Sequence, residues 1–184
     1  LDEVKADMDD LHAIVFGAGP GSFTGLRICC GVAQGLAFGA GLPVLGVSTL
    51  MALAQASGHS RVVACLDARM GEVYHAVYER SGAGWHTVME PGLYKPDQLP
   101  AIEGRDWAGV GNGWAAYADQ LHGCYGEQIS ATMPEQYPEA RAMLTLAMPQ
   151  LEAGHGVPAA EAAPVYIRNR VALKTQEREA GLKL

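Results

Sequence analysis

A glycine-rich segment, Gly17 to Arg27, offers the clearest potential for chemistry in this chain. It lies between an apolar run, His12 to Phe16, that predicts a buried strand and an apolar segment, Leu26 to Gly41, that predicts a helix. A strand, a glycine turn and a helix N-terminus in this order can direct backbone N–H groups at an anion. A P-loop would need a Lys before Ser22, and the dinucleotide fingerprint would need a glycine in place of Ser22. The segment therefore predicts a phosphate-type loop that lacks the usual nucleotide motifs and is formed by Gly19, Gly21, Ser22 and Thr24.

A second cluster of polar residues lies at a predicted hairpin turn. Asp67, Arg69 and Glu72 stand between two β-rich runs, Arg61–Asp67 and Glu72–Arg80. An acid, an arginine and a second acid at a strand end could bind a phosphate or a metal ion. Alternatively, Asp67 and Arg69 form an ion pair that only stabilises the turn, although an exposed pair of this kind contributes only ~0–1 kcal/mol. The sequence leaves both interpretations open.

Three glycines recur in the long predicted helix. Gly31, Gly35 and Gly39 are four residues apart and therefore share one face. Each costs a helix roughly 1 kcal/mol relative to Ala, so a stripe of three indicates that another backbone approaches closely. That backbone belongs either to the sheet beneath the helix or to a partner chain.

Other catalytic classes find little support in the residues. The six histidines include no His-x-x-x-His pair, and the sequence predicts no metal site. Ser22 does not stand in the Gly-x-Ser-x-Gly pattern of hydrolases and is better explained as a helix N-cap. The four cysteines lack metal-ligand spacing, which favours reduced, buried thiols of a cytoplasmic protein.

Composition sets further bounds on function. The chain has 184 residues, 49% of them hydrophobic, and a formal net charge of −7, with no run of basic residues to neutralise a nucleic-acid backbone. Glycines and Pro43 interrupt the apolar region from Leu26 to Leu45, so we expect no membrane span. The opening residues, Leu-Asp-Glu-Val-Lys, resemble the end of a helix and predict that an N-terminal segment precedes them.

The order of elements predicts an α/β fold in two parts. A strand, helix, strand unit with parallel strands occupies the first residues, and Ser48 and Thr49 then cap a second predicted helix, Leu50 to Ala56. A polar stretch, Ser57 to Ser60, marks a boundary. A β-rich region follows, with further predicted strands at Trp85–Tyr94 and Trp107–Val110 and a predicted helix at Trp114–Leu121. We therefore predict a first domain over residues 1–60 and a second over 61–184, whose last residues are free to return to the first.

Five motifs in the same order resemble the bacterial TsaB (YeaZ) family. The most specific is the nine-residue loop Gly19 to Arg27, followed by a helix motif, Gly31 to Ala37, and by Gly46 to Leu50. The hairpin motif Asp67 to Tyr74 and the C-terminal Pro164 to Arg168 complete the resemblance, which covers nearly all of the chain.

This resemblance implies an actin-like, ribonuclease H-like α/β fold of two lobes. The family carries an N-terminal strand hairpin before the residues seen here, so the N-terminal lobe would be incomplete in this chain. The implied role is that of a non-catalytic scaffold, a paralogue of TsaD, in making N6-threonylcarbamoyladenosine on tRNAs that read codons beginning with A. The implied partners are TsaD and the ATPase TsaE, with a homodimer in isolation and tRNA only through the complex. No cofactor is expected on this chain alone, while ATP or ADP fits the interface of the complex, in the cytoplasm.

The resemblance also implies where partners bind. The first helix of the lobe would form the surface for self-association and for pairing with TsaD, carried by Leu26, Arg27, Gly31, Gly35, Leu36 and Gly39. The alternative function is a nucleotide-dependent phosphotransferase or phosphatase of the actin-like group. That reading would use Asp67 and would need a second acid from the other lobe.

Overall fold

The structure, a computed structural model, describes residues 7–82 and 84–168. The helix end expected at residues 1–5 lies outside this part of the chain. Two sheets organise the described residues. The first sheet pairs β1 (Ile14–Gly19) with β2 (Val44–Ser48) in parallel, as the strand, helix, strand pattern predicts.

Helix α1 (Phe23–Ala40) connects these two strands. It begins where the Ser22 hydroxyl accepts a hydrogen bond from the Gly25 N–H at 3.3 Å, and it ends at Gly41, whose φ of 66° suits a left-handed C-cap. Leu26, Cys30, Ala33 and Ala37 are its buried residues. Their spacing of three and four places them on the side that faces the sheet.

By length and composition, α1 is also apolar enough to cross a membrane, with 18 residues and a mean hydropathy of 1.2. This corrects the expectation that the glycines break up the apolar region, because they continue the helix. The finding is weak evidence for a span, since a core helix passes the same test.

The second sheet is mixed and has five strands in the order β5-β4-β3-β6-β7. An antiparallel meander forms one half, and two strands parallel to β3 form the other. The strands are β3 (Arg61–Arg69), β4 (Glu72–Ser81), β5 (Gly84–Tyr94), β6 (Trp107–Val110) and β7 (Ile129–Met133). All but β7 correspond to predicted runs.

Helices cover both faces of this sheet. On one face α2 (Thr49–Ala56) packs Leu50 and Leu53 against Val62 and Ala64 of β3. On the other face lie α3 (Gly113–Ala116) and α4 (Ala118–Tyr125), where a single helix was expected. The backbone at Tyr117, with φ −136° and ψ 39°, is not helical and separates them.

The last helix, α5 (Ala140–Glu152), returns to the first sheet. Its Ala147, Met143 and Leu146 pack with Leu45 and Val47 of β2. The two-stranded sheet is therefore covered by α1 on one side and by α5 on the other. The division of the chain at residue 60 stays a prediction.

One histidine, His75 of β4, is fully buried in the second lobe. Its Nε2 lies 2.7 Å from the Tyr125 hydroxyl of α4, and the Tyr94 ring meets it edge-on at 5.7 Å. Nδ1 finds no hydrogen-bond partner among the described residues. Burial lowers the pKa of His75 to about 4, so the imidazole is neutral at physiological pH.

Candidate functional site

A cleft between the two lobes brings the two predicted clusters together. The loop after β1, with Gly21 and Ser22, forms one wall, and the β3–β4 turn, with Asp67 and Arg69, forms the other. Its volume is about 410 Å³. The arrangement follows from topology, because the carboxyl end of β1 and the end of β3 point to the same gap.

Close backbone contacts shape the glycine loop. Gly19 has a φ of 116°, and a Cβ built on it would lie 2.8 Å from the carbonyl oxygen of Val165. Any other residue would therefore be strained there and would collide with backbone. On the other side of the loop, the buried Thr49 hydroxyl donates to the Pro20 carbonyl oxygen. The loop is thus fixed by contacts within the protein.

The hairpin turn uses its own charges internally. Arg69 and Met70 adopt left-handed backbone conformations, with φ of 62° and 57°. The Asp67 carboxylate accepts hydrogen bonds from the Arg69 backbone N–H at 2.8 Å and from the Arg69 guanidinium at 2.9 Å. It also accepts one from the Tyr117 hydroxyl at 3.3 Å. Desolvation, and then the charge of Asp67, raise the pKa of Tyr117. The turn-stabilising pair that the sequence allowed is therefore present.

A segment that we call the strap, residues 163–168, connects the two lobes. The Val165 N–H donates to the Ala18 carbonyl oxygen at 2.7 Å, which ties the strap to β1. At the strap's other end, the Arg168 guanidinium lies 2.7 Å from a Glu72 carboxylate oxygen and donates to the Ala68 carbonyl oxygen at 3.0 Å. Sequence reasoning identified this motif only through resemblance, because its contacts join residues about 100 or more positions apart.

The predicted phosphate-loop residues lie in different surroundings. Gly21, Ser22, Asp67 and Arg69 line the cleft, whereas Thr24 is exposed on the first turn of α1. Glu72 is paired with Arg168. Phosphate binding by this set stays a prediction. Both carboxylates of this set have an arginine partner in the structure, Asp67 in Arg69 and Glu72 in Arg168.

A second candidate surface is the outward side of α1, which we call the α1 face. A Cβ built on Gly31, Gly35 or Gly39 meets no atom within 4 Å, so the glycine stripe points away from the sheet. This excludes tight packing on the sheet as the reason for the stripe. Apolar side chains border it, with Ile28 62% and Phe38 82% exposed. The face consists of Ile28, Gly31, Val32, Gly35, Leu36, Phe38 and Gly39.

Two predicted interface residues lie outside the α1 face. Leu26 is buried and packs beneath Gly19 and Gly21, which corrects its assignment to an exposed interface. Arg27 is exposed at the edge of the face, where its guanidinium lies 3.9 Å from the Phe23 ring centroid. Its Nε donates to the Tyr166 hydroxyl of the strap at 2.9 Å.

The cysteines differ in exposure. Cys30 and Cys65 are buried as expected, but Cys29 is exposed beside the α1 face, which corrects the expectation of four buried thiols. Burial raises the pKa of both buried thiols. Within residues 7–82 and 84–168, no three His, Cys, Asp or Glu side chains come together as a metal site.

Two α/β lobes, a mixed five-stranded sheet and a cleft between glycine loop and hairpin define an actin-like, ribonuclease H-like protein. A sequence model of the family described as TsaD, tRNA N6-adenosine threonylcarbamoyltransferase, matches residues 1–178.

Individual relatives narrow this class further. The tRNA threonylcarbamoyladenosine biosynthesis protein TsaB of Escherichia coli (strain K12) is 42% identical over 179 residues, which cover 91% of this chain and 75% of that protein. TsaB of Haemophilus influenzae is 38% identical over 191 residues, covering 95% and 79%. The solved structure of YeaZ from Pseudomonas aeruginosa superposes with a TM-score of 0.82 at 38% identity, covering 90% and 78%. This chain belongs to the TsaB (YeaZ) family of tRNA threonylcarbamoyladenosine biosynthesis proteins, as its motifs indicated.

Proposed function

We propose that this chain is a non-catalytic subunit that binds a TsaD-type threonylcarbamoyltransferase through the α1 face and thereby supports tRNA modification. The observation that carries the proposal is the exposure of this face. Burying exposed apolar side chains such as Ile28 and Phe38 lowers the free energy by about 25 cal/mol per Å² of apolar surface removed from water. The glycine stripe between them leaves room for a second helix to approach closely.

The state of the cleft supports a role without independent catalysis. A phosphoryl-transfer enzyme positions metal-bound phosphates with carboxylates that are available to the ligand. Asp67 is held by Arg69 and Tyr117, and Glu72 is held by Arg168. A nucleotide would have to break these pairs to recruit either acid. The proposal therefore places ATP or ADP at the interface of the assembled complex.

The same face would serve both self-association and pairing with the transferase. A homodimer in isolation would then exchange for a heterodimer, and the TsaE-type ATPase would join the pair. The chain's net charge of −7 supports tRNA contact through the complex instead of through this subunit alone. A cytoplasmic location stays a prediction.

Light scattering coupled to size-exclusion chromatography tests this proposal. The chain is measured alone and mixed with the TsaD-type protein of the same cell. The test variant is Gly35→Trp, which fills the centre of the α1 face in open space and raises helix propensity, so the fold is retained. The matched control is Gly123→Trp in α4, where an added Cβ also meets no atom within 4 Å.

The expected result is a stable heterocomplex with the wild type and with Gly123→Trp, and none with Gly35→Trp. Equal complex formation by a folded Gly35→Trp variant would remove the α1 face from the proposal. If the wild type bound no transferase but hydrolysed ATP alone, the phosphotransferase alternative would replace the scaffold.

A further inference from the structure

Arg27 is the one charged residue in the 18 residues of α1. Such a side chain normally samples many rotamers, and holding it costs up to about 2 kcal/mol of entropy. Here three contacts already hold it. The guanidinium stacks 3.9 Å from the Phe23 ring centroid, lies 5.8 Å from that of Tyr166, and donates from Nε to the Tyr166 hydroxyl. The charge is therefore fixed in position before any partner arrives.

Within residues 7–82 and 84–168, the other end of this guanidinium has no partner. Among the described residues, neither terminal nitrogen of Arg27 meets a hydrogen-bond acceptor, and no carboxylate lies within ion-pair distance. Four described arginines, Arg61, Arg69, Arg105 and Arg168, have carboxylate partners, whereas Arg27, like Arg80 and Arg141, has none among the described residues. A planar pair of N–H donors in a fixed orientation matches a carboxylate on an approaching surface.

Self-association through α1 cannot supply that carboxylate from the facing helix. Residues 23–40 contain no Asp and no Glu, so two copies of α1 packed together place two arginines on an interface without an acid in either helix. A different helix with an acidic residue opposite Arg27 gains a charge-assisted pair at the same position. Charge placement of this kind sets partner choice more than total affinity.

We infer that Arg27 makes the α1 face selective for a partner helix that carries an Asp or Glu opposite it, and that it favours this pairing over self-association. The inference rests on the proposed function. The apolar α1 face supplies most of the binding free energy, whereas Arg27 determines whether the transferase or a second copy of the chain binds there. Tyr166 acts as a positioning residue because it holds the guanidinium and does not itself present charge.

The test compares two equilibria in the full chain. Isothermal titration calorimetry gives the dissociation constant for the TsaD-type protein, and sedimentation equilibrium gives that of the homodimer. The variants are Arg27→Gln, which removes the charge, and Tyr166→Phe, which keeps the charge but releases Nε. The matched control is Arg141→Gln, which removes an exposed arginine from α5 on the other side of the first sheet.

Arg27→Gln is expected to weaken transferase binding about tenfold or more while leaving the homodimer constant within about twofold. The transferase affinity of Arg27→Gln should also lose most of the dependence on salt that the wild type shows. The transferase affinity of Tyr166→Phe should lie between those of the wild type and Arg27→Gln. Equal weakening of both equilibria, or of neither, would overturn the inference while leaving the proposed function in place. A wild type that binds no transferase would overturn the proposed function, and this inference with it.

Discussion

The buried imidazole of His75 makes stability depend on pH in a direction that can be worked out. A histidine in an unfolded chain has a pKa of about 6.5, whereas burial lowers the pKa of His75 to about 4 in the folded protein. Between these values the unfolded chain binds more protons than the folded chain does. The contribution of His75 to the free energy of unfolding is therefore complete above pH 6.5 and is lost as the pH falls toward 4.

The magnitude follows from the two pKa values. A shift of this size corresponds to about 3 kcal/mol once the pH lies below both values, and about 2 kcal/mol of it is already lost at pH 5. Domains have total stabilities of about 5–15 kcal/mol, so the loss is a large fraction. Burial explains the direction, since protonation would place a charge in a desolvated site, and Nδ1 has no described hydrogen-bond partner there.

Urea unfolding, followed by the fluorescence of the buried Trp107 and Trp114, measures this loss at pH 7.5 and pH 5.0. The test variant is His75→Phe, which keeps an aromatic ring against Tyr94 and leaves the Tyr125 hydroxyl its 3.2 Å hydrogen bond to a backbone carbonyl. Its loss of stability on acidification should be about 2 kcal/mol smaller than that of the wild type.

The control is His155→Gln, which removes an exposed histidine. Its free energy of unfolding should fall between pH 7.5 and pH 5.0 by as much as that of the wild type. Other groups also titrate in this range, so only the difference between His75→Phe and the wild type carries the prediction. An equal loss in both proteins would refute the assignment of the acid sensitivity to His75.

Two further measurements address the strap and the thiols. Arg168→Met should lower the free energy of unfolding by about 2 kcal/mol because it leaves a partly buried Glu72 carboxylate without its partner. Arg69→Met, which removes an arginine that is 86% exposed, should cost only about 0–1 kcal/mol, and equal costs would contradict the strap's role. In native-state labelling with a neutral maleimide, mass spectrometry should find Cys29 modified well before Cys65, which reacts only when the fold opens. Simultaneous modification would show that the second lobe opens readily.

Local signals predicted the elements around the glycine loop well. Serine caps at both helix starts and alternating or apolar strand runs led to β1, α1, β2 and α2 within a few residues. The strand β7 was missed because Ile129–Met133 is short and contains Ser and Thr. Its one partner in the described part of the chain is β6, some twenty residues earlier. Its place in the sheet depends on tertiary contacts that no local window contains.

The sequence also did not predict which side of α1 faces the sheet. Apolar or small residues surround this helix, so its composition does not say which side meets the sheet. The structure buries the side with Leu26 and Ala37 and turns the glycine stripe outward. For the cleft, local patterns predicted both walls, whereas only the family resemblance pointed to the strap, since Arg168 and Tyr166 contact residues far away in the chain.

The return of α5 and the strap to the first sheet constrains how this protein folds during synthesis. One face of the sheet formed by β1 and β2 stays uncovered until α5 is made, about 90 residues after β2. The hydrogen bond from Val165 to Ala18 closes a still longer loop. Closing that loop costs more conformational entropy, and it requires the strap to have been made. The second lobe, built largely from sequential strands, can therefore form on the ribosome first. The first lobe, which carries the α1 face, gains this packing only after α5 and the strap have been made.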